Sequence, residues 1–127
     1  MTSLRTPLAK VRGLGSAKEG TDHFWKQRIT AVANILLVSY AIILLVQFAG
    51  ADHATVKRVF AKPQNAIALL GLVLSGVMHM RIGMQTIIED YIHAEGSKVA
   101  ALMLNTFFSI LIGITCIFAV LKLSFGA

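Results

Sequence analysis

One histidine of this chain, His79, lies inside an apolar stretch, whereas the other three lie near the charged ends of such stretches. An ionisable side chain within an apolar span is costly to bury and by default indicates a functional site. On a helix Gly76 and Gly83 fall on the same side as His79, at i−3 and i+4. Together they predict a shallow groove with the imidazole at its centre. A large flat ligand such as a haem, which takes one or two axial ligands, fits such a groove.

The position of His79 also indicates a partner. A haem held by two histidines would take its second ligand from another chain, because this chain has no second histidine inside an apolar span. The alternative is an imidazole that bonds to a neighbouring helix, with the two glycines serving close helix packing.

Asp90 and Tyr91 close the same stretch, about 17–18 Å from His79 along a helix axis at 1.5 Å per residue. A phenol at the water boundary, oriented by an adjacent carboxylate, can donate a hydrogen bond to a quinone carbonyl and supply protons for its reduction. The alternative for Tyr91 is membership of an interfacial aromatic belt. Arg28, at the mouth of the first apolar run, is a candidate for binding an anion or is an ordinary positive flank.

The composition is that of an integral membrane protein. Hydrophobic residues make up 56% of the 127 residues and charged residues 14%, where about 25% is usual in soluble proteins. The net charge of +6 does not indicate nucleic-acid binding, because the basic residues lack interleaved aromatic residues and mostly flank apolar runs. We interpret them as signals of topology and as contacts with lipid headgroups.

Three apolar runs predict an all-α fold with three transmembrane helices, each near the roughly 20 residues that cross a bilayer: 29–50, 64–93 and 99–121. Polar segments flank them: an N-terminal tail 1–28, a loop 51–63, a turn 94–98 and a C-terminus 122–127. The tail and turn hold seven Lys and Arg residues, against four in the loop and C-terminus. This bias predicts a cytoplasmic N-terminus, with the loop and the C-terminus on the opposite side of the membrane.

The stretch H-M-R-I-G-M-Q-T-I-I-E-D-Y, residues 79–91, resembles the second transmembrane helix of the smaller membrane-anchor subunit of succinate dehydrogenase, respiratory complex II. That family shows a His, a Gly four residues on, and Asp-Tyr at 11 and 12 residues beyond the His, and all four positions match. Residues 24–33, F-W-K-Q-R-I-T-A-V-A, are similar to the entry of that subunit's first helix and include Arg28. Residues 15–21 are similar to alphaproteobacterial members.

The resemblance implies a helical bundle formed with a second, cytochrome b anchor subunit. His79 would be one axial ligand of haem b and the partner anchor would supply the other. Tyr91 would hydrogen-bond ubiquinone with support from Asp90. Arg28 would lie near the haem propionates or the quinone pocket.

The resemblance further implies a bacterial inner membrane, with the loop 51–63 and the C-terminus 122–127 in the periplasm. It also implies flavoprotein and iron–sulfur subunits on the cytoplasmic face. They would pass electrons from succinate through FAD and iron–sulfur clusters to ubiquinone, linking the tricarboxylic acid cycle to the respiratory chain. This chain would hold no catalytic residue for succinate oxidation. Two alternatives stay open: an anchor of a fumarate reductase or other quinone-linked enzyme, and a non-redox transporter or scaffold in which His79 packs or relays protons.

Overall fold

The computed structural model describes residues 6–13 and 20–125, and in these ranges every regular element is a helix. In chain order the helices are α1 Pro7–Val11, α2 Gly20–Gln47, α3 His53–Phe60, α4 Pro63–Tyr91 and α5 Glu95–Phe125. Three of them, α2, α4 and α5, are long and apolar enough to cross a membrane. The predicted all-α fold with three transmembrane helices is therefore confirmed.

Helix α2 begins at Gly20, well before the apolar run that starts at Ile29. The extra turns are polar and are supported by an i,i+4 ion pair in which Lys26 Nζ lies 3.6 Å from Asp22 Oδ2. Asp22 in the first turn also complements the helix dipole. Hydropathy therefore marks the part of the helix suited to hydrocarbon, while the helix itself extends into the segment expected to be a tail.

The connection between the first two spans contains a helix where the sequence predicts a polar loop. Gly50 takes a φ of +82° after α2, and α3 then follows over eight residues. Val56, Val59 and Phe60 share one side of α3 at i, i+3 and i+4, and Val59 is buried. Pro63 lies in the first turn of α4, as its preference for that position predicts.

Helix α4 lies in the middle of the spans. Helices α2 and α5 both pack on α4, and within the described residues they make no contact with each other. Small residues allow both approaches: a Cβ added to Gly71 of α4 would lie 3.7 Å from Leu37 of α2, and one added to Gly113 of α5 would lie 3.6 Å from Val77 of α4. The three spans therefore form an open layer, and α4 keeps two uncovered sides.

Side-chain amides fix the two packed interfaces. The Tyr40 hydroxyl donates to Asn65 Oδ1 at 2.5 Å, and Asn65 Nδ2 donates to the Val59 carbonyl at 2.7 Å, so one buried amide joins α2, α3 and α4. Asn105 Nδ2 of α5 donates to the Arg81 carbonyl of α4 at 2.9 Å. These bonds set the axial level of each helix against α4.

Candidate functional site

His79 lies on α4 where this helix contacts α2. Its Nδ1 is 3.1 Å from Oγ1 of Thr30, a buried residue of α2. One turn earlier on α4, Ser75 Oγ donates to the Thr30 carbonyl at 3.2 Å. Thr30 of α2 therefore makes two polar contacts with α4, and these contacts fix the two helices against each other at the position of His79.

The second ring nitrogen of His79 is free. Nε2 makes no hydrogen bond to any residue in the described ranges and is not among the buried unpartnered atoms there. The imidazole is thus held through one nitrogen, and the other nitrogen is accessible to a ligand from outside the chain.

The two glycines of the predicted groove differ in their surroundings. A Cβ added to Gly76 would meet no atom within 4 Å, so the surface beside His79 is open there. At Gly83 an added Cβ would lie 3.3 Å from Gln27 Nε2, so the Gln27 side chain covers this glycine. Gly76 and His79 therefore border open space on one uncovered side of α4. The Gln27 amide bounds this space towards the C-terminal end of α4.

These residues fit a haem iron ligand. The ligating atom would be the accessible Nε2, and the open surface at Gly76 leaves room for a flat ring beside it. Within the described ranges no group of three or more His, Cys, Asp or Glu side chains could hold a metal ion. As a haem ligand, His79 would need a second iron ligand from another chain.

Asp90 and Tyr91 are the last two residues of α4. Tyr91 is 78% exposed, Asp90 is also exposed, and neither side chain bonds to another described residue. The helix ends there because Ile92 leaves the helical conformation, although its N–H still bonds to the Ile88 carbonyl. On a regular helix Tyr91 lies about 120° around from His79. The phenol is therefore free for a ligand but is not aligned with the imidazole.

Arg28 is not brought to His79. Thr30 faces α4, and Arg28, two residues earlier, falls about 200° around α2 on its far side. The Arg28 guanidinium carbon lies 4.4 Å from the centroid of the Phe24 ring, an arrangement typical of a cation–π contact. Any anion at Arg28 would therefore approach α2 from outside the α2–α4 pair.

Comparison with known proteins decides the family. The model of the succinate dehydrogenase/fumarate reductase transmembrane subunit matches residues 2–120. The chain belongs to this family. It is 29% identical over 122 residues to the succinate dehydrogenase hydrophobic membrane anchor subunit of Paracoccus denitrificans, covering 96% of this chain and 94% of the relative. It is 32% identical over 116 residues to the protein of the same name from Rickettsia bellii, covering 91% and 93%. No solved structure matches.

The comparisons confirm the predicted resemblance and the role as a membrane anchor of succinate dehydrogenase. As an anchor subunit, the chain is part of an enzyme complex that contains further subunits. The open layer of helices agrees with that role, because a lone chain of this shape leaves most of its apolar side chains exposed.

The anchor also has a polar cavity that sequence analysis missed. It measures ≈ 430 Å³ and lies between α2 and α4 on the side away from Gly76. Its polar lining residues are Asp22, His23, Lys26, Arg81 and Gln85. His23 Nε2 is buried there without a hydrogen-bond partner. The signal that could have found it is Arg81 itself, a charge within an apolar stretch.

Thr30, Ser75 and Gln27 are further site residues that sequence analysis left unassigned. Each is polar and each contacts α4 or α2 within the packed pair. Serine and threonine within an apolar run are a general signal of interhelical bonding. That signal does not name the partner, because the partner depends on how the neighbouring helix is rotated.

Proposed function

We propose that this anchor subunit ligates haem b jointly with a second anchor subunit, through His79, and contributes Tyr91 and Asp90 to the ubiquinone-reduction site. The observation that carries the proposal is the state of His79. One ring nitrogen is held by α2, the other is accessible, and the surface beside it at Gly76 is open.

The haem, when bound, supplies a one-electron redox centre. His79 would hold the iron through Nε2, which no described residue of this chain hydrogen-bonds, and a histidine of the partner anchor would supply the second ligand. The partner then covers the uncovered side of α4 that bears Gly76. Arg28 faces outward from α2, so in this arrangement it serves a propionate or quinone only at a surface shared with the partner.

Tyr91 acts on the quinone as a hydrogen-bond donor. Its exposed hydroxyl at the end of α4 donates to a ubiquinone carbonyl, and the neighbouring Asp90 carboxylate supports the proton supply. Reduction of ubiquinone to ubiquinol takes two electrons and two protons, and the end of a spanning helix is a place where protons arrive from water. This chain contributes no catalytic residue to succinate oxidation.

The electrons come from succinate through the FAD of a flavoprotein subunit and the clusters of an iron–sulfur subunit. Both dock on the cytoplasmic side of the inner membrane. The bias of Lys and Arg residues supports a cytoplasmic N-terminus, and Tyr91 would then lie on the same side. Lipids cover the remaining apolar faces.

The family description also includes fumarate reductases, which run the reaction in reverse. The quinone that co-purifies with the complex separates the two directions, since ubiquinone favours succinate oxidation and menaquinone favours fumarate reduction. A non-redox transporter or scaffold is disfavoured by the family assignment.

The test compares two electron acceptors in the purified complex. Tyr91→Phe is expected to lower ubiquinone reduction by succinate roughly 10- to 100-fold. The quinone oxygen gains negative charge as it is reduced, and a hydrogen bond to a charged group contributes about 1.5–3 kcal/mol. Reduction of a soluble dye that takes electrons upstream stays unchanged. Thr115→Val removes an exposed hydroxyl of α5, which donates to the Leu111 carbonyl, and is the control. Wild-type ubiquinone reduction in Tyr91→Phe would contradict the proposed role.

A further inference from the structure

We infer that Thr30 is a positioning residue of the haem site, which accepts the Nδ1–H of His79 and thereby presents the unprotonated Nε2 to the iron. The inference rests on the proposed function, because it concerns the side chain proposed to ligate haem b. It adds a residue on another helix that acts on the iron only through His79.

The hydroxyl proton of Thr30 is already committed. Oγ1 lies 2.7 Å from the Lys26 carbonyl oxygen and 3.1 Å from the Gln27 carbonyl oxygen, and a carbonyl can only accept. A threonine hydroxyl has one proton, so Oγ1 donates into the backbone of α2 and offers a lone pair to His79. With the proton assigned in this way, Nδ1 of His79 is the donor in the 3.1 Å contact.

This assignment fixes the tautomer. A neutral imidazole carries one N–H, so a proton on Nδ1 leaves the lone pair on Nε2. Nε2 is the nitrogen without a hydrogen bond in the described part of the chain, so tautomer and accessibility agree. The Thr30 hydroxyl thus holds the imidazole of His79 in place and also determines that Nε2 is the nitrogen with the free lone pair.

The acceptor itself is held rigidly. Thr30 is 7% exposed, its hydroxyl is tied to its own helix one turn earlier, and its carbonyl accepts from Ser75 of α4. Ligating histidines generally donate their second N–H to a fixed acceptor, which orients the ring and raises its basicity. A hydroxyl bonded to a backbone carbonyl does this without placing a carboxylate charge in an apolar span.

A plain interhelical hydrogen bond is the competing explanation. It would change how firmly α2 and α4 pack, and it would leave the electronic state of a bound haem untouched. The two explanations therefore differ in a spectroscopic property of the haem rather than in stability.

The experiment uses the complete, detergent-purified complex carrying Thr30→Val, which keeps the shape and removes the acceptor. Haem per complex and the low-spin g values of the oxidised haem are measured by electron paramagnetic resonance. We expect haem affinity to fall about 10- to 100-fold and the g values to shift. Thr30→Ser restores both, because it keeps the hydroxyl.

Ser39→Ala is the matched control. Ser39 is also a hydroxyl residue of α2, it donates to the carbonyl four residues earlier at 2.7 Å, and it is exposed without a contact to His79. This variant is expected to keep wild-type haem content and g values.

Wild-type haem content and g values in Thr30→Val would overturn the inference. The proposed function would still stand if His79→Ala loses the haem signal, whereas a wild-type complex without any b-type haem would refute the proposed function itself. If Thr30→Val does not assemble, Thr30→Ser decides: an assembled serine variant as poor in haem as His79→Ala overturns the inference, and one with wild-type g values supports it.

Discussion

Replacing Gly76 by leucine is expected to weaken haem binding to the complex while leaving the α2–α4 pair intact. A Cβ at this position would meet no atom within 4 Å in this chain, so the leucine side chain has room in the anchor alone. The same room is the space that the proposed haem takes beside His79. The substitution therefore separates a haem-lining position from an ordinary packing position.

The leucine is expected to stabilise helix α4 and to weaken haem binding. Glycine inside a helix is less favourable than leucine by roughly 0.5–1 kcal/mol, so the substitution stabilises α4 slightly. Four added carbons in an occupied site cost typically about 1–3 kcal/mol by overpacking. At 1.4 kcal/mol per tenfold this corresponds to roughly 5- to 150-fold weaker haem binding.

The assay is haem per complex, measured as the pyridine haemochrome against protein after purification of the assembled complex. Gly96→Leu is the matched control, because a Cβ at Gly96 on α5 also meets nothing within 4 Å and Gly96 is remote in sequence from the proposed haem surface. Full haem content in an assembled Gly76→Leu complex would refute the reasoning that places the haem on this side of α4.

Two further predictions concern the anchor's packing. Asn65→Leu leaves the Val59 carbonyl and the Tyr40 hydroxyl without their partner, so we expect a loss of about 1–3 kcal/mol, seen as a lower unfolding temperature of the detergent-solubilised complex. At Gly113 an added Cβ lies at ordinary contact distance from Val77, so Gly113→Ala is expected to be neutral or slightly stabilising. Gly113→Leu is expected to lose about 1–3 kcal/mol, and equal unfolding temperatures for the two variants would contradict this packing.

The transmembrane spans were predictable from sequence because they depend only on the length of each apolar run along the chain. The length of an apolar run against the thickness of the hydrocarbon layer gives the number and place of transmembrane helices without knowledge of their neighbours. The proposed ligand His79 was found in the same way, as an ionisable residue inside such a run. Helix α3 was missed because its apolar side consists of only a few residues within a charged segment.

The surroundings of His79 were not predictable, because they depend on two helices together. A helical wheel places Gly76 and Gly83 on one side of α4, and the structure shows that Gln27 of α2 covers only the second. The contact with Thr30 requires α2 to have a particular rotation and axial level. The wheel of a single helix gives neither quantity.

The open arrangement of α2, α4 and α5 was also beyond the sequence. Three amphipathic or apolar helices can close into a bundle or lie side by side, and the spacing of apolar residues does not separate these cases. Here both outer spans pack on α4, and within the described residues α2 and α5 do not contact each other. Two sides of α4 stay uncovered, and the side that bears Gly76 is the one that we assign to the partner anchor.

The most direct test of haem ligation by His79 is a reduced-minus-oxidised visible spectrum of the purified complex, recorded for wild type, His79→Ala and His93→Ala. His93 is an exposed histidine just beyond α4 and is the control. Haem ligation by His79 predicts a b-type α-band in wild type and His93→Ala that is lost or shifted in His79→Ala. An unchanged b-type band in His79→Ala, or no b-type band in wild type, would contradict it.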